Sequence, residues 1–438
     1  MRNTRQLKWS SGVIILVVLA LLYLIPYLFV IRRPDPGVTD IYFADRITDA
    51  HRILIDRYNA LNAGRIRVIP IDFPNPDFST NERKEILARS LRGEEDGVDL
   101  LAVDPIWVKR FARWCEPLGK YFTGEELERI VPDALYSCYV DSALAAVPLD
   151  IALNVLWYRE DLLKSSPQGD AVIRELHNTM TWPAFLRLKA RLGWTKPFYV
   201  FPAADYEGLI CSYIDNLLSL KPDYFSTIGF DFDTPEGRKA LQLLVDLVHR
   251  DGATPREVTS FIETPSYAYY VRNDALFLWG WTTYEKDFKD QPFDREKEEH
   301  MRQSPLPYFP GGRPASMFGG WNLMVSQFSK KKDAVVDFVK FLLRDDSQEV
   351  LYTESRYYPV VKSFYGDSTS IRRHPEIAEI RETMKMGVHR PAVTDYTNYS
   401  KIMSHYFSLA IKNRISVAQA VAGATRAIQS GQTPAVAR

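Results

Sequence analysis

Indole rings and carboxylates are the groups in this sequence whose types and positions could act on a carbohydrate. The chain holds 9 Trp and 24 Tyr, and rings with polar edges suit sugar surfaces as well as ordinary cores. Trp321 directly follows Gly319 and Gly320, which leave no side chain beside it, as expected where the backbone closely approaches another group. Asp104 and Glu207 could accept hydrogen bonds from hydroxyl groups or act as the acid and base that cleave a glycosidic bond. The residues themselves do not separate these two uses.

The composition argues against several other chemistries. Among the 438 residues, 55 basic side chains balance 55 acidic ones, so no overall field attracts nucleic acid and a neutral ligand is favoured. The seven histidines and three cysteines have no metal-ligand spacing, and the odd number of cysteines rules out a complete disulfide framework. We therefore expect no metal, no cofactor and no nucleic-acid partner.

An apolar run that begins at Val13 and ends at Ile31 precedes the rest of the chain. As a helix it would span roughly 28 Å, close to the hydrocarbon thickness of a bilayer. Residues 29–33 offer a signal peptidase a poor cleavage site. We predict an uncleaved transmembrane helix that anchors the protein at the outer face of the inner membrane, with a cleaved signal peptide as the alternative.

Residues 38–114 predict alternating strands and helices, because the apolar positions change from an extended pattern to helical spacing and back. Such alternation indicates a parallel sheet covered by helices, which binds ligands at the carboxyl ends of its strands. Asp45 and Asp104 lie at two such ends. The predicted strands are 38–44, 65–73 and 98–103, and the predicted helices are 47–61, 82–91 and 107–114.

A second α/β block is predicted to begin near Ala145, where an apolar strand is followed by a polar turn and a helix. Thr181 and Thr234 are predicted N-caps of two later helices, each with a proline in its first turn. Gly252 is predicted to end the second of these helices.

Seven segments after residue 38 form a pattern together. They are AVPLDIALNVLWYREDLL (146–163), TWPAFLRLKARL (181–192), DYEGLICSYIDNLL (205–218), DTPEGRKALQLLVDLV (233–248), NDALFLWGW (273–281), GGWNLMVS (319–326) and HRPAVTDY (389–396). In this order and spacing they resemble the family 1 extracellular solute-binding proteins of sugar ABC importers, and in particular the maltose and trehalose binders.

The resemblance implies an α/β fold of two lobes, the type II periplasmic-binding-protein fold, preceded by the transmembrane helix. Its lobes would close on a ligand like a hinged clamp. Three segments would connect the lobes, near Asp150, Arg302 and Tyr352. The expected organisation is an anchor and linker (1–37), lobe I (38–151 plus 303–353) and lobe II (152–302 plus 354–438).

The resemblance also implies which residues contact the ligand. Trp281 and Trp321 match the family's sugar-stacking tryptophans, and a pyranose can pack its C–H face on an indole. Tryptophan is nevertheless more often part of a core. Arg390 matches an arginine whose planar group donates to two sugar hydroxyls, with a salt bridge that closes the lobes as the alternative.

Three acidic residues are further candidates. Asp104 matches an acid that accepts from sugar hydroxyls, and Asp45 lies where another polar contact is expected. Helix N-capping is the competing explanation for both. Glu207 is expected in the cleft, with ordering of its loop as the alternative.

One departure from the family concerns the residues before the strand that reads LWYR. Where maltose and trehalose binders commonly carry a Tyr and an Asp, this chain has Asp-Ile-Ala at 150–152. Either Asp150 has taken over the acidic contact or the contact is lost. Gly320, beside Trp321, completes the predicted ligand-binding set.

These expectations describe a non-catalytic, monomeric receptor outside the inner membrane. It would bind a di- or oligosaccharide and deliver it to the permease subunits of an ABC importer. Two alternatives stay open: a membrane-anchored sugar sensor that reports to a partner protein, and a glycosidase that uses Asp104 and Glu207.

Overall fold

The computed structural model describes residues 37–74, 80–93, 97–288 and 291–431. The predicted membrane anchor, residues 13–31, lies outside these ranges. Among the residues that are described, no helix combines the length and the apolar character needed to cross a bilayer. The described chain folds into two α/β lobes, each with its own sheet and its own core.

The strands of the described chain form two main sheets and a two-stranded hairpin. They are β1 (Thr39–Asp45), β2 (Ile66–Asp72), β3 (Leu100–Val103), β4 (Tyr139–Val140), β5 (Ala143–Leu144), β6 (Val147–Pro148), β7 (Ala152–Arg159), β8 (Tyr199–Val200), β9 (Phe277–Trp281), β10 (Met301–Ser304), β11 (Ser316–Gly319), β12 (Asn322–Val325) and β13 (Gly387–Val388).

Helices cover both sheets. They are α1 (Asp49–Leu61), α2 (Thr80–Arg92), α3 (Val108–Phe111), α4 (Gly124–Glu128), α5 (Pro132–Tyr136), α6 (Glu160–Lys164), α7 (Gly169–His177), α8 (Trp182–Arg191), α9 (Glu207–Leu220), α10 (Tyr224–Thr227), α11 (Pro235–His249), α12 (Glu263–Arg272), α13 (Tyr284–Asp287), α14 (Arg295–Glu299), α15 (Lys332–Leu342), α16 (Asp345–Ser355), α17 (Lys362–Gly366), α18 (Ser368–Arg373), α19 (Ile377–Lys385), α20 (Tyr396–Ile411) and α21 (Val417–Ser430). Short 3-10 turns occupy Pro105–Trp107, Ala112–Trp114 and Arg256–Ser260.

The first sheet has the strand order β2-β1-β3-β12-β6. β1 runs parallel to β2 and β3, so the alternation of strands and helices predicted for residues 38–114 is confirmed. The late strand β12 joins antiparallel between β3 and β6. The carboxyl ends of β1 and β3 therefore lie at one edge, where Asp45 ends β1 and Asp104 follows β3.

The second sheet has the strand order β13-β11-β7-β9-β8, and β10 also pairs with β7. All eight residues of β7 are buried, which places this strand at the centre of the larger core. Thr234 caps α11 as predicted, because its hydroxyl accepts the N–H of Gly237 at 3.0 Å. Thr181 precedes α8 but makes no capping hydrogen bond through its side chain.

The connections between the sheets differ from the expectation at one place. The first connection falls between β6 and β7, at Asp150. The second was expected near Arg302, but β10 and β11 still pair with β7, and Met317 packs in the second core. The chain returns to the first sheet only at 320–321, because β12 is the next strand to pair there. Residues 303–319 thus lie with the second sheet, although we had assigned them to lobe I.

The third connection follows α16 and pairs with the first. Ile151 and Tyr358 exchange two backbone hydrogen bonds of 2.9 and 3.1 Å. A small separate core surrounds this contact and includes Leu153, Phe318 and Tyr352. The connections therefore pack on one another, which gives the two lobes a common pivot.

Candidate functional site

A cavity of about 420 Å³ lies between the two lobes. Of the eight residues predicted to contact a ligand, all but Asp45 line it. These are Asp104, Asp150, Glu207, Trp281, Gly320, Trp321 and Arg390. The structure therefore brings together side chains that are far apart in sequence and that come from both sheets.

The two indoles reach the cavity from different sheets. Trp281 ends β9, and Trp321 stands just before β12. A Cβ atom on Gly319 would lie 2.5 Å from Cζ3 of Trp281, so this glycine makes room for Trp281. From its position in the sequence we had expected it to make room for Trp321. Gly320 has a φ of +112°, and a Cβ atom there would lie 2.4 Å from the carbonyl oxygen of Asp150. Both glycines are needed for close packing at the cavity wall.

Asp45 lies behind the cavity wall, which corrects its assignment as a direct ligand contact. It is fully buried, and its Oδ1 accepts from Arg83 Nη2 at 2.5 Å and from the N–H of Arg46 at 2.7 Å. A buried carboxylate needs such partners to offset its lost hydration. Arg83, which no sequence pattern singled out, lines the cavity in its place and stacks on Trp321, with Cζ 4.2 Å from the ring centroid.

Arg390 pairs with two carboxylates, Asp104 of the first lobe and Glu207 of its own lobe. Its Nη2 donates to Asp104 Oδ1 at 2.7 Å, and its Nη1 donates to Glu207 Oε1 at 3.0 Å. Arg390 follows β13 of the second sheet, whereas Asp104 follows β3 of the first. The salt bridge weighed as an alternative for Arg390 is therefore present. Its Nε–H is buried and has no hydrogen-bond partner among the described residues, so one donor remains for another group.

The two acids in this network have further partners. Asp104 also accepts the N–H of Ile106 at 3.1 Å, so it caps the turn after β3 as well as pairing with Arg390. Glu207 accepts from the Tyr396 hydroxyl at 2.9 Å and from the Ser400 hydroxyl. Burial raises the pKa of Glu207 although Arg390 opposes this. Because Arg390 binds both acids, neither is poised as a free acid or base of a glycosidase.

Asp150 ties the first connection to Trp321. Its Oδ1 accepts the N–H of Trp321 at 2.9 Å, and its Oδ2 is buried without a partner among the described residues. Burial raises the pKa of this carboxyl well above its usual value. This buried carboxyl therefore lines the cavity at the first connection and fixes the backbone of Trp321.

A second ion pair crosses the cavity. Arg46, just after β1, contacts Asp287, the last residue of α13, and Thr283 donates to the other oxygen of Asp287 at 2.6 Å. Arg46 Nη2 also lies 3.4 Å from the hydroxyl of Tyr357. Two ion pairs at the cavity, Arg46–Asp287 and Arg390–Asp104, therefore connect the first and second lobes.

Several other cavity residues escaped the sequence analysis. Tyr206 directly precedes Glu207 and could have been found through the DYEGL segment, whereas Arg46, Glu263 and Tyr284 stand in no recognisable motif. A larger and more open groove of about 980 Å³ runs beside β10 and α19, but none of the predicted ligand contacts lines it. Within the described ranges no cluster of His, Cys, Asp and Glu could hold a metal ion, and Cys115, Cys138 and Cys211 are buried and unpaired.

Two lobes that enclose a polar and aromatic cavity at a common pivot define a hinged ligand-binding protein. Residues 45–349 match the family described as bacterial extracellular solute-binding protein, and the chain belongs to this family. Membership confirms the expected extracytoplasmic location and the expectation that the protein is a binder and not an enzyme.

Related proteins agree with this assignment. A probable ABC transporter-binding protein of Deinococcus radiodurans is 25% identical over 344 residues, which cover 76% of this chain and 78% of that protein. The structure of maltose-bound MalE3 of T. maritima has a TM-score of 0.78 and 25% identity, over 90% of this chain and 99% of that one. The cyclic alpha-maltosyl-1,6-maltose binding protein from Arthrobacter globiformis, at 21% identity, shares the fold with a TM-score of 0.67 over 90% of this chain and 98% of that one.

Proposed function

We propose that the protein captures a neutral di- or oligosaccharide between its lobes and delivers it to the permease of an ABC importer. The observation that carries this proposal is the position of Trp281 and Trp321, one from each sheet, on a single cavity. Flat aromatic faces pack against pyranose rings, while the carboxylates and guanidinium groups around them hydrogen-bond to hydroxyls. The likeness to a maltose-bound protein over 90% of this chain supports a sugar as the ligand.

The cavity suits an uncharged ligand of this size. Its volume of about 420 Å³ lies within the range of roughly 300–1,000 Å³ that small-molecule sites occupy. The charges around it are largely paired, Arg390 with Asp104 and Glu207, and Arg46 with Asp287. Binding of a neutral ligand therefore leaves the net charge of the cavity unchanged.

We also propose the organisation of the chain. Lobe I would comprise residues 38–149 plus 321–357, and lobe II residues 152–319 plus 387–431, with the connections between them. The apolar run at 13–31 would hold this clamp at the membrane and raise its effective concentration at the permease. Fractionation tests the anchor: the full chain should stay with membranes at high salt and leave them only with detergent.

Calorimetry of the full chain against maltose, trehalose and related glycosides tests the ligand. The detergent must lack a sugar headgroup, since glucoside and maltoside detergents would compete. We expect heat of binding with at least one neutral saccharide and none with a variant that carries both Trp281→Ala and Trp321→Ala. Heat with no neutral saccharide would refute the proposal. Loss of uptake of that sugar on deletion of the gene then tests delivery, because a sensor alone would leave uptake intact.

A further inference from the structure

The second lobe adds further polar side chains to the cavity, apart from the residues discussed as ligand contacts. Tyr206 directly precedes α9, Glu263 begins α12 and Tyr284 begins α13, and all three line the cavity. Tyr284 follows Trp281 by three residues. The three come from separate elements, so their meeting is a product of the fold.

Neither phenol hydroxyl has a well-formed hydrogen bond among the described residues. Tyr284 is 1% exposed, and its hydroxyl is buried with no hydrogen-bond partner among the described residues. The hydroxyl of Tyr206 is buried beside the carboxyl of Glu263 without reaching it in normal hydrogen-bond geometry. Buried tyrosine hydroxyls ordinarily find a partner. A ligand oxygen in the cavity would provide one.

Two glycines leave the space that these rings occupy. A Cβ atom on Gly208 would lie 2.0 Å from the hydroxyl of Tyr206, and one on Gly280 would lie 2.5 Å from Cδ2 of Tyr284. Any other residue at either position would displace the ring. The backbone is therefore shaped around the two tyrosines.

Glu263 stands among groups that disfavour its charge. Burial raises its pKa to about 7, and the carboxylates of Glu207 and Asp287 add to the rise, while its own backbone N–H and the hydroxyl of Tyr206 oppose it. The titratable groups that face it are Tyr206, Glu207, Tyr284 and Asp287. Glu207 and Asp287 are engaged by Arg390 and Arg46, so these cations are not available to Glu263.

We propose that Tyr206, Glu263 and Tyr284 form a second polar subsite that binds the hydroxyls of one ring of the saccharide, and that Glu263 binds as the uncharged acid and donates its proton to a sugar oxygen. This inference rests on the proposed function. Closure around a ligand removes water from Glu263 and leaves the two carboxylates in place, so the bound form keeps the proton.

Affinity is then linked to pH. Only the fraction of the protein with a protonated Glu263 is competent to bind, and the apparent Kd rises as that fraction falls. With a pKa of about 7, binding is nearly constant below about pH 6 and weakens above pH 7, approaching tenfold for each further pH unit.

The test is calorimetric titration of maltose and trehalose into the full chain at pH 6, 7 and 8, with each variant checked by its thermal unfolding. For the wild type we expect affinity to be about tenfold lower at pH 8 than at pH 6. Glu263→Gln should bind within a few fold of the wild type at pH 6 and show no loss at pH 8, because an amide donates at every pH. Asp233→Asn, which alters an exposed acid that does not line the cavity, should keep the wild-type pH dependence.

The outcomes separate the two proposals. If Glu263→Gln retains the full loss between pH 6 and pH 8, Glu263 is not the coupled group and the inference is overturned. If Tyr284→Phe and Glu263→Leu, both folded, bind as tightly as the wild type at pH 6, the subsite itself is refuted, whereas a roughly fivefold or greater loss supports it. If the wild type binds neither sugar at any pH, the proposed function fails first.

Discussion

The guanidinium of Arg83 lies between the indole of Trp321, 4.2 Å from the ring centroid, and the buried carboxylate of Asp45, 2.5 Å away. The guanidinium of Arg83 thus covers one face of the Trp321 ring, and the carboxylate of Asp45 behind the cavity wall fixes the guanidinium in position. A cation over an aromatic face is stabilised by the ring's electrons, and more so away from water. The position of the indole therefore depends on the Arg83–Asp45 ion pair, in which Asp45 is buried out of reach of a ligand.

Replacing Arg83 by Lys or Met separates the two roles of this cation. Arg83→Met removes the cation from the buried Asp45 and leaves the N–H of Arg46 as its hydrogen-bond donor, so we expect a loss of about 3 kcal/mol in the free energy of unfolding. Arg83→Lys keeps a charge near Asp45 but loses the planar stack, so it should unfold closer to the wild type yet bind sugar several fold more weakly. Urea unfolding and calorimetry measure both. Equal affinity of Arg83→Lys and wild type would show that the stack does not position Trp321.

Gly319→Ala should weaken sugar binding without removing any side chain. Its new Cβ would lie 2.5 Å from Cζ3 of Trp281, so the indole must move away from its place in the wall. We expect roughly a tenfold loss of affinity, equivalent to about 1.4 kcal/mol. Gly366→Ala is the matched control, because nothing lies within 4 Å of a Cβ there, and it should bind as the wild type does. Unchanged affinity in Gly319→Ala would mean that Trp281 does not contact the ligand.

The Arg46–Asp287 pair should bias the sugar-free protein towards the closed arrangement. Asp287→Asn removes the charge that crosses the cavity, so the lobes lose an attraction that acts before ligand arrives. We expect a larger radius of gyration by small-angle scattering in the absence of sugar, and a return to the wild-type value with saturating sugar. Asp233→Asn, which breaks the exposed pair with Arg238 on one lobe, should leave the radius of gyration unchanged both without and with sugar. An unchanged radius of gyration in Asp287→Asn would show that the Arg46–Asp287 pair does not favour the closed arrangement.

Asp215 should make stability fall as pH rises. Burial raises its pKa to about 7, although Trp279 Nε1 and the N–H of Met317 donate to it at 2.9 and 3.1 Å. The folded protein therefore holds this proton more tightly than the unfolded chain, in which an aspartate titrates near pH 4. Relative to Asp215→Asn, the wild type should lose about 2 kcal/mol between pH 5 and pH 7 and only about 0.4 kcal/mol more above pH 7. Urea unfolding at pH 5, 7 and 8 measures this, with the exposed Asp56→Asn as a control that should show no such trend.

Local patterns were sufficient for most of the architecture. The change of apolar period over residues 38–114 predicted the parallel β1–β3 unit, and Thr234 with its following proline predicted the start of α11. The second connection was misplaced because β10 and β11 are four residues each, too short for alternation to show which sheet they join. Sheet membership is decided by pairing with β7, more than 140 residues earlier in the chain.

The site was predictable where it lies in extended motifs and not where it depends on distant partners. Trp281, Trp321 and Arg390 stand in segments with a recognisable pattern, and they do meet at one cavity. Asp45 was misassigned because its burial depends on Arg83, 38 residues away. Glu263 was missed because a single acid at the start of a helix resembles an ordinary first-turn residue.

Gly320 has a further mechanical consequence. Its backbone packs against Asp150, and the next residue donates its N–H to the same aspartate. The first and second connections between the lobes are therefore bound to each other. The backbone of Trp321 is therefore tied directly to the first connection. Trp281 packs against Gly319 of the same connection, so residues 319–321 position both indoles.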